Sequence, residues 1–352
     1  MVEVHLSQIS HSYDGGKNWA VRDIDLLFES GKQYSLLGPS GCGKSTLLKI
    51  ITGLIKPTKG KVIFDQRDYT PLPPEKRNVA IVFQFPVVYK MTVLENLLFP
   101  LLNIKISKEE KIKKAREIAA LLKLDNLLKE QAQKLGPADR QRVAIGRALI
   151  READVILLDE PMSSIEPDRK YEIKKLLLEI GRRFKRTMVF VTHDQTEALT
   201  FGEKIAVMSP NGRLLQFGTF EEIYHRPSHE FVGFFIGFPG MNILEAVYEN
   251  GILNFHSFRI QIKLPFENNM KLRIGFRAEH VKISPIKGPD LFPMVVAYRE
   301  DLGRDKYILH LRSDKILVKA ISETEQNIGE TVWVRLPTEN FNFFDESGKR
   351  LL

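Results

Sequence analysis

The sequence predicts an α/β fold followed by a smaller β-rich domain, and three observations predict it. An apolar run, Gln33-Tyr34-Ser35-Leu36-Leu37, leads into the octapeptide GPSGCGKS (Gly38 to Ser45), and a segment with an apolar helical stripe, Ser45 to Ile51, follows at once. Further apolar runs, Asn78 to Gln84, Val155 to Leu158 and Met188 to Thr192, each deliver polar residues at their C-terminal ends, where open α/β sheets place ligands. From about Met241 the texture changes to short alternating runs separated by turn signals.

Taken in order, Val2 to Ile9 and Val21 to Phe28 alternate as strands and are joined through the turn-forming Asp14-Gly15-Gly16. GPSGCGKS then fits G-x-x-x-x-G-K-[ST]. In that pattern the glycines let backbone N–H groups close around phosphate oxygens, the lysine (Lys44) reaches β/γ-phosphates, and the Ser45 hydroxyl can ligate Mg²⁺. Glycine-rich turns are common, but a strand before and a helix after are what a phosphate loop requires. Gly38, Pro39, Ser40, Gly41, Cys42, Gly43, Lys44, Ser45 and Thr46 are therefore candidate nucleotide-binding positions. Asn78 to Gln84 reads as a buried strand, and Val93 to Leu128 as a mainly helical, Lys/Glu-rich stretch.

Val155 to Leu158 ends in Asp159-Glu160. One acid near Mg²⁺ and a second that orients or deprotonates water are what phosphate-anhydride hydrolysis needs. Such a pair can equally cap the next helix; the phosphate loop upstream favours chemistry. His193 follows the strand Met188 to Thr192, where an imidazole could bond a γ-phosphate, and Gln84 can put an amide oxygen near metal and water. Candidate catalytic residues are thus Glu160, His193 and Gln84, and candidate Mg²⁺ ligands Ser45, Gln84 and Asp159.

Residues 241–352 read as a small β-barrel-like domain: Asn250-Gly251 separates two runs, and Thr331 to Leu336 alternates at period two. Tyr224 to Pro239, punctuated by Pro227, Gly237 and Pro239, would be the crossing, which sets domains at 1–235 and 236–352.

Composition narrows the function classes. The 352 residues, 43% hydrophobic, suffice for a core in each of two domains. No apolar run approaches the roughly eighteen residues of a membrane span. The start, Met1-Val2-Glu3-Val4-His5, predicts no secretory signal. One cysteine, Cys42, excludes an internal disulfide and suits a reducing compartment; its thiol could block nucleotide if alkylated, although any small residue fits there. The net charge of +8 is compatible with nucleic acid, an anionic membrane face or a mixed surface. Both signs are interspersed, as in the helix expected from Ser107 to Leu124, so charge alone names no partner.

Together these residues resemble the ATP-binding subunit of an ABC transporter: a P-loop ATPase domain with a helical subdomain, then an OB-like TOBE domain. The resemblance implies that Tyr13 stacks on adenine with Val21 beside it, that Gly38 to Ser45 is Walker A, and that Gln84 is the Q-loop glutamine. It implies that Asp159 and Glu160 close Walker B, with Glu160 the catalytic carboxylate, and that His193 is the switch histidine. Phe231 to Gly237, Met241-Asn242 and Gly275 to Val281 look like the import subfamily, similar to carbohydrate and glycerol-phosphate importers. The implied cofactors are ATP and Mg²⁺. The implied partners are two membrane-spanning permease subunits, a second ATPase subunit and, indirectly, an extracytoplasmic solute-binding protein. The implied place is peripheral, on the cytoplasmic face of the membrane.

The pattern breaks at the signature loop. Where the family usually has LSGGQ, this chain has Leu135-Gly136-Pro137-Ala138-Asp139, before the retained Gln141-Arg142-Val143-Ala144. Gly136 has no hydroxyl and Pro137 no N–H to offer a γ-phosphate. Asp139 adds a negative charge that, about 6 Å from a phosphate at an effective dielectric of about 20, would cost roughly 3 kcal/mol per unit charge. The same residues are good helix starters. Ser163-Ser164-Ile165-Glu166 also departs where the family commonly ends in aspartate, and Gln84 to Met91-Thr92 is about one residue shorter than the common spacing. The resemblance therefore implies a heterodimer with an ATPase of intact signature, or a homodimer with two impaired sites. A soluble ABC ATPase acting on nucleic acid is the alternative. Against it stand the short, roughly 50-residue spacing from Gln84 to Leu135, a single ATPase module and the lack of an RNA-binding aromatic motif. A mainly regulatory nucleotide binder is disfavoured by Glu160 and His193.

Overall fold

In a computed structural model of the chain, which describes residues 2–163, 165–256 and 258–352, β1 (Val4–His11) and β2 (Val21–Phe28) pair antiparallel. Val21, Ile24, Leu26 and Phe28 of β2 are buried and the residues between them exposed, the alternation of a sheet with one wet face. β3 (Gln33–Leu37) runs into α1 (Lys44–Thr52), and β4 (Lys59–Phe64) and β5 (Arg67–Asp68) complete a four-stranded sheet in the order β2-β1-β4-β5.

β6 (Val79–Val82) is followed by the helical region: α2 (Val93–Leu98), α3 (Lys108–Leu121) and α4 (Pro137–Ile150). Two of these helices start with reciprocal capping boxes, Thr92 with Glu95 and Ser107 with Glu110. Gly146 lets α4 approach α2, because a Cβ there would lie 2.6 Å from the Leu97 side chain. β7 (Val155–Asp159), α5 (Pro167–Phe184), β8 (Thr187–Thr192), α6 (Gln195–Phe201), β9 (Lys204–Met208) and β10 (Leu214–Gly218) follow.

The second sheet orders its strands β10-β9-β3-β8-β7-β6, parallel except for β10 against β9. Every residue of β7 and β8 is buried, so these strands are continuous apolar runs rather than alternating ones. One core gathers Leu97, Ile118, Val143, Ile156 and Ile173. Another gathers Ile9, Val21, Leu36, Leu47 and Val191 around the phosphate-loop segment.

The chain divides into two compact units, Met1–Phe220 and Glu221–Leu352. Residues 221–235, expected with the first domain, group with the second. They carry most of α7 (Phe220–His225) and all of α8 (Glu230–Phe235). The second unit then builds one five-stranded antiparallel sheet from β11 (Asn242–Glu249), β12 (Ile252–Asn254), β13 (Arg259–Gln261), β14 (Met270–Phe276) and, last in sequence, β20 (Asn342–Phe344). A second five-stranded sheet holds β15 (Lys282–Ser284), β16 (Phe292–Gly303), β17 (Lys306–Ser313), β18 (Ile316–Ser322) and β19 (Thr331–Arg335). Residues of both sheets, among them Leu272, Ile274, Val296, Leu309 and Val332, share one core. This is the packing of a small barrel-like domain. Among the described residues, no helix is long and apolar enough to cross a membrane.

Candidate functional site

Sheet order assembles the site. Along β3-β8-β7-β6, the segments leaving the C-terminal ends carry in turn the phosphate loop, His193, Asp159-Glu160 and Gln84. Residues far apart in sequence thus meet on one edge of the parallel sheet, as expected of an open α/β fold.

Between β3 and α1 the loop turns through left-handed backbone at Gly41 (φ +81°) and Gly43 (φ +96°). A Cβ on Gly43 would sit 2.2 Å from the Ala20 carbonyl oxygen, so only glycine fits. Lys44 is buried, and its Nζ donates to the carbonyls of Gly38 (2.8 Å) and Pro39 (2.9 Å). The ammonium is therefore folded back across the loop. Ser40, Gly41 and Ser45 are exposed, and Pro39 and Thr46 half-buried. Cys42 is buried in the core beneath the loop, and that burial pushes its thiol pKa up. The thiol that sequence placed in the loop does not face the loop's mouth.

Glu160 follows the last residue of β7 with φ +43°, and its N–H donates to the Val191 carbonyl of β8 at 3.0 Å. This turn aims its carboxylate across the strand ends. Nδ1 of His193 lies 3.1 Å from Glu160 Oε2, and Gln84 Nε2 donates to the same oxygen at 3.4 Å. Three residues singled out separately thus converge on one carboxylate oxygen. Asp159 is only 8% exposed. Burial raises its pKa, a Ser45 hydrogen bond and the Lys44 charge oppose that, and Glu160 adds to it. A buried carboxylate next to a serine hydroxyl is the hard-oxygen donor set that suits Mg²⁺.

Tyr13, in the loop after β1, is 63% exposed and lies over the start of α1, its hydroxyl 3.1 Å from Thr46 Oγ1. Val21 is buried beside Gly43, where it supports the loop from below. His11 was not singled out by sequence. Its ring meets Tyr13 edge to face, centroids 4.6 Å apart and planes at 88°. The only available signal was its place at the end of an alternating strand.

The degenerate signature segment keeps its helix, with Gly136 as N-cap of α4 and Pro137 in its first turn. Asp139, whose charge weighs against a phosphate, has cations beside it in its own subunit. Its carboxylate pairs with Arg142 (3.0 Å) and lies 4.0 Å from Arg169, while Arg142 also reaches Glu172 (2.7 Å). The charge of Asp139 is thus partly offset within its own subunit. The i,i+3 spacing of Asp139 and Arg142 could have signalled this. In the following loop, Ser163 Oγ donates to the Glu160 carbonyl (3.0 Å), Glu166 stands as N-cap of α5 without a side-chain cap bond, and Ser164 lies outside the described residues.

Sequence reasoning also missed an open groove of about 960 Å³ away from the phosphate loop, lined by Leu54, Phe83, Val87, Tyr89 and Phe99 among others. Arg147 spans it, its guanidinium 4.1 Å over the Tyr89 ring and donating to the Val87 carbonyl.

Comparison with known proteins agrees with this geometry. The family model described as ABC transporter matches residues 21–163. The chain is 35% identical, over the whole of both sequences, to the sn-glycerol-3-phosphate import ATP-binding protein UgpC of Escherichia coli O6:H1 and to that of Salmonella typhi. Among solved structures, the dimeric ABC transporter cassette MJ0796 is 31% identical with a TM-score of 0.55, and covers 61% of this chain and 98% of its own. The cassette cbiO1 of Clostridium perfringens is 27% identical with a TM-score of 0.58, and covers 62% of this chain and 89% of its own. The chain belongs to the ABC transporter family, as an ATP-binding, ATP-hydrolysing subunit of the importer type.

Proposed function

We propose that Glu160 is the base of ATP hydrolysis in this subunit. We further propose that the energy drives uptake of a small hydroxylated or phosphorylated solute, a glycerol phosphate, sugar or polyol, through two permease subunits. The observation that carries the reading is the meeting of Gln84 and His193 on Glu160 Oε2 beside the phosphate loop. The solute class follows from the relatives' names, sn-glycerol-3-phosphate import proteins.

In the proposed reaction the amides of Gly38 to Ser45 take the triphosphate. Lys44 exchanges the Gly38 and Pro39 carbonyls for phosphate oxygens. Ser45, Asp159 and Gln84 would hold Mg²⁺, which when bound offsets charge on the β- and γ-phosphates. Glu160 takes a proton from water as the water oxygen attacks the γ-phosphorus and the bond to the ADP oxygen breaks. His193, sharing the carboxylate, orients it and faces the γ-phosphate. Tyr13 offers its ring face to adenine, and Val21 backs the loop.

The ATPase works as a dimer at the cytoplasmic face of the membrane. Gly136 and Pro137 lack donors for a γ-phosphate, which favours a second ATPase subunit with an intact signature over self-pairing. The groove under Phe83, Val87 and Tyr89 receives a segment of the permease, and the solute-binding protein acts through that permease. The test is uptake of labelled glycerol 3-phosphate, sugars and polyols in cells whose native chain carries Glu160→Gln. Loss of uptake of one of these supports the reading; unchanged uptake of all overturns it.

A further inference from the structure

His11 ends β1 and is 8% exposed. Its Nδ1 lies 3.4 Å from Thr58 Oγ1, and its Nε2, shielded from solvent, has no hydrogen-bond partner. Thr58 Oγ1 accepts from the Ser12 N–H at 3.1 Å, and its own proton has two acceptors in reach, the Ser12 carbonyl at 3.5 Å and His11 Nδ1 at 3.4 Å. When that proton goes to His11, the imidazole hydrogen sits on Nε2; in either tautomer Nε2 is a buried polar atom without a hydrogen-bond partner. The His11 and Tyr13 rings meet edge to face, an arrangement that aromatic pairs favour beyond simple burial. At its other end Tyr13 is held by Thr46, two residues after the lysine of the phosphate loop. An exposed ring is thereby fixed from two sides, by a buried imidazole and by the helix that carries the phosphate site.

We propose that His11 is a positioning residue for the nucleobase: with Thr46 it locks Tyr13 as a preset stacking platform, so that the base contributes affinity without first ordering the ring. The inference rests on the reading of Gly38 to Ser45 as a nucleotide site. It predicts that His11 acts on binding of the base and not on binding of the phosphates. A role confined to holding the fold would touch both.

The test compares affinities for Mg-ATP and for Mg-tripolyphosphate, which lacks base and sugar, in the wild type, His11→Ala and His11→Phe. His11→Ala should weaken Mg-ATP roughly three- to tenfold, the size of one lost aromatic contact, and change tripolyphosphate affinity less than about twofold. His11→Phe, which keeps an aromatic ring against Tyr13, should recover most of the loss. Tyr13→Phe, without the Thr46 anchor, should lose part of the base contribution and leave tripolyphosphate unchanged. Equal weakening of both ligands by His11→Ala, or of neither, overturns the proposal. A wild type that binds tripolyphosphate as tightly as Mg-ATP overturns it while leaving the phosphate site standing. A wild type that binds neither removes the nucleotide reading, and this proposal with it.

Discussion

Asp159 and Cys42 are both buried at the phosphate loop, and burial disfavours the charged form of each. For Asp159 the folded-state pKa is raised above its unfolded value, so the folded state holds the proton more tightly. Stability therefore falls as pH rises from the unfolded value through the folded one, and at neutral pH the ionised carboxylate destabilises the empty protein. Asp159→Asn should accordingly raise the thermal midpoint at pH 7 while removing the Mg²⁺ dependence of ATP binding. A lowered midpoint, with cooperative unfolding retained, would show that the Ser45 and Lys44 interactions outweigh burial. Cys42, the sole cysteine, gives a clean reading of its own. Maleimide labelling at pH 7 should be at least about tenfold slower in the folded than in the unfolded chain, since the thiol is both shielded and held protonated. Rapid labelling that ATP prevents would restore the idea of a thiol facing nucleotide.

Among the elements, α1 depends on a residue that no motif announced. Arg77 is buried and donates to the carbonyls of Ile50, Ile51, Leu72 and Thr70, closing the C-terminal end of the helix whose other end carries the phosphate loop. Arg77→Ala should cost about 3 kcal/mol in denaturant unfolding, because several buried carbonyls lose their donor at once; a cost under about 1 kcal/mol would contradict this role. Arg77 was invisible in the sequence because its partners are backbone carbonyls, two of them in the distant α1, which leave no mark on residue type, whereas local patterns sufficed for the strands that build the site. Gln33–Leu37, Val155–Asp159 and Thr187–Thr192 stand within a residue of where their apolar runs put them. The loop glycines were legible because φ > 0 at Gly41 and Gly43 leaves little choice of residue. Strands β4, β5, β9 and β10 were not foreseen; β4 and β9 are strands through pairing with the distant β1 and β3, which a short window does not contain, and β5 and β10 are edge strands that only add on to them. The charge argument made from sequence for Asp139 overlooked Arg142, which a local reading at i,i+3 could have caught, and Arg169, which belongs to another helix and could not be so read.

For the whole molecule, sequence alone carried the α/β class, the β-rich second part and the ATPase family, because each rests on strong local motifs. It placed residues 221–235 with the first domain, since helices look alike whichever unit they pack on. The state of assembly rests on the signature loop. A Cβ on Gly136 would meet nothing within 4 Å, so a serine fits there. The chain carrying Gly136→Ser, Pro137→Gly, Ala138→Gly and Asp139→Gln should hydrolyse ATP on its own with a rate that rises with protein concentration, while the native chain stays slow until a second ATPase is added. Fast, cooperative hydrolysis by the native chain alone would favour a homodimer whose unusual loop still engages the γ-phosphate. The central claim is the water-activating role of Glu160, and steady-state phosphate release by Glu160→Gln in the assembled transporter tests it most directly, with ATP affinity measured alongside. Affinity should stay within about threefold of the wild type and phosphate release should fall by about a hundredfold or more, the scale of losing a positioned general base. Near wild-type turnover with ATP still bound would contradict the account.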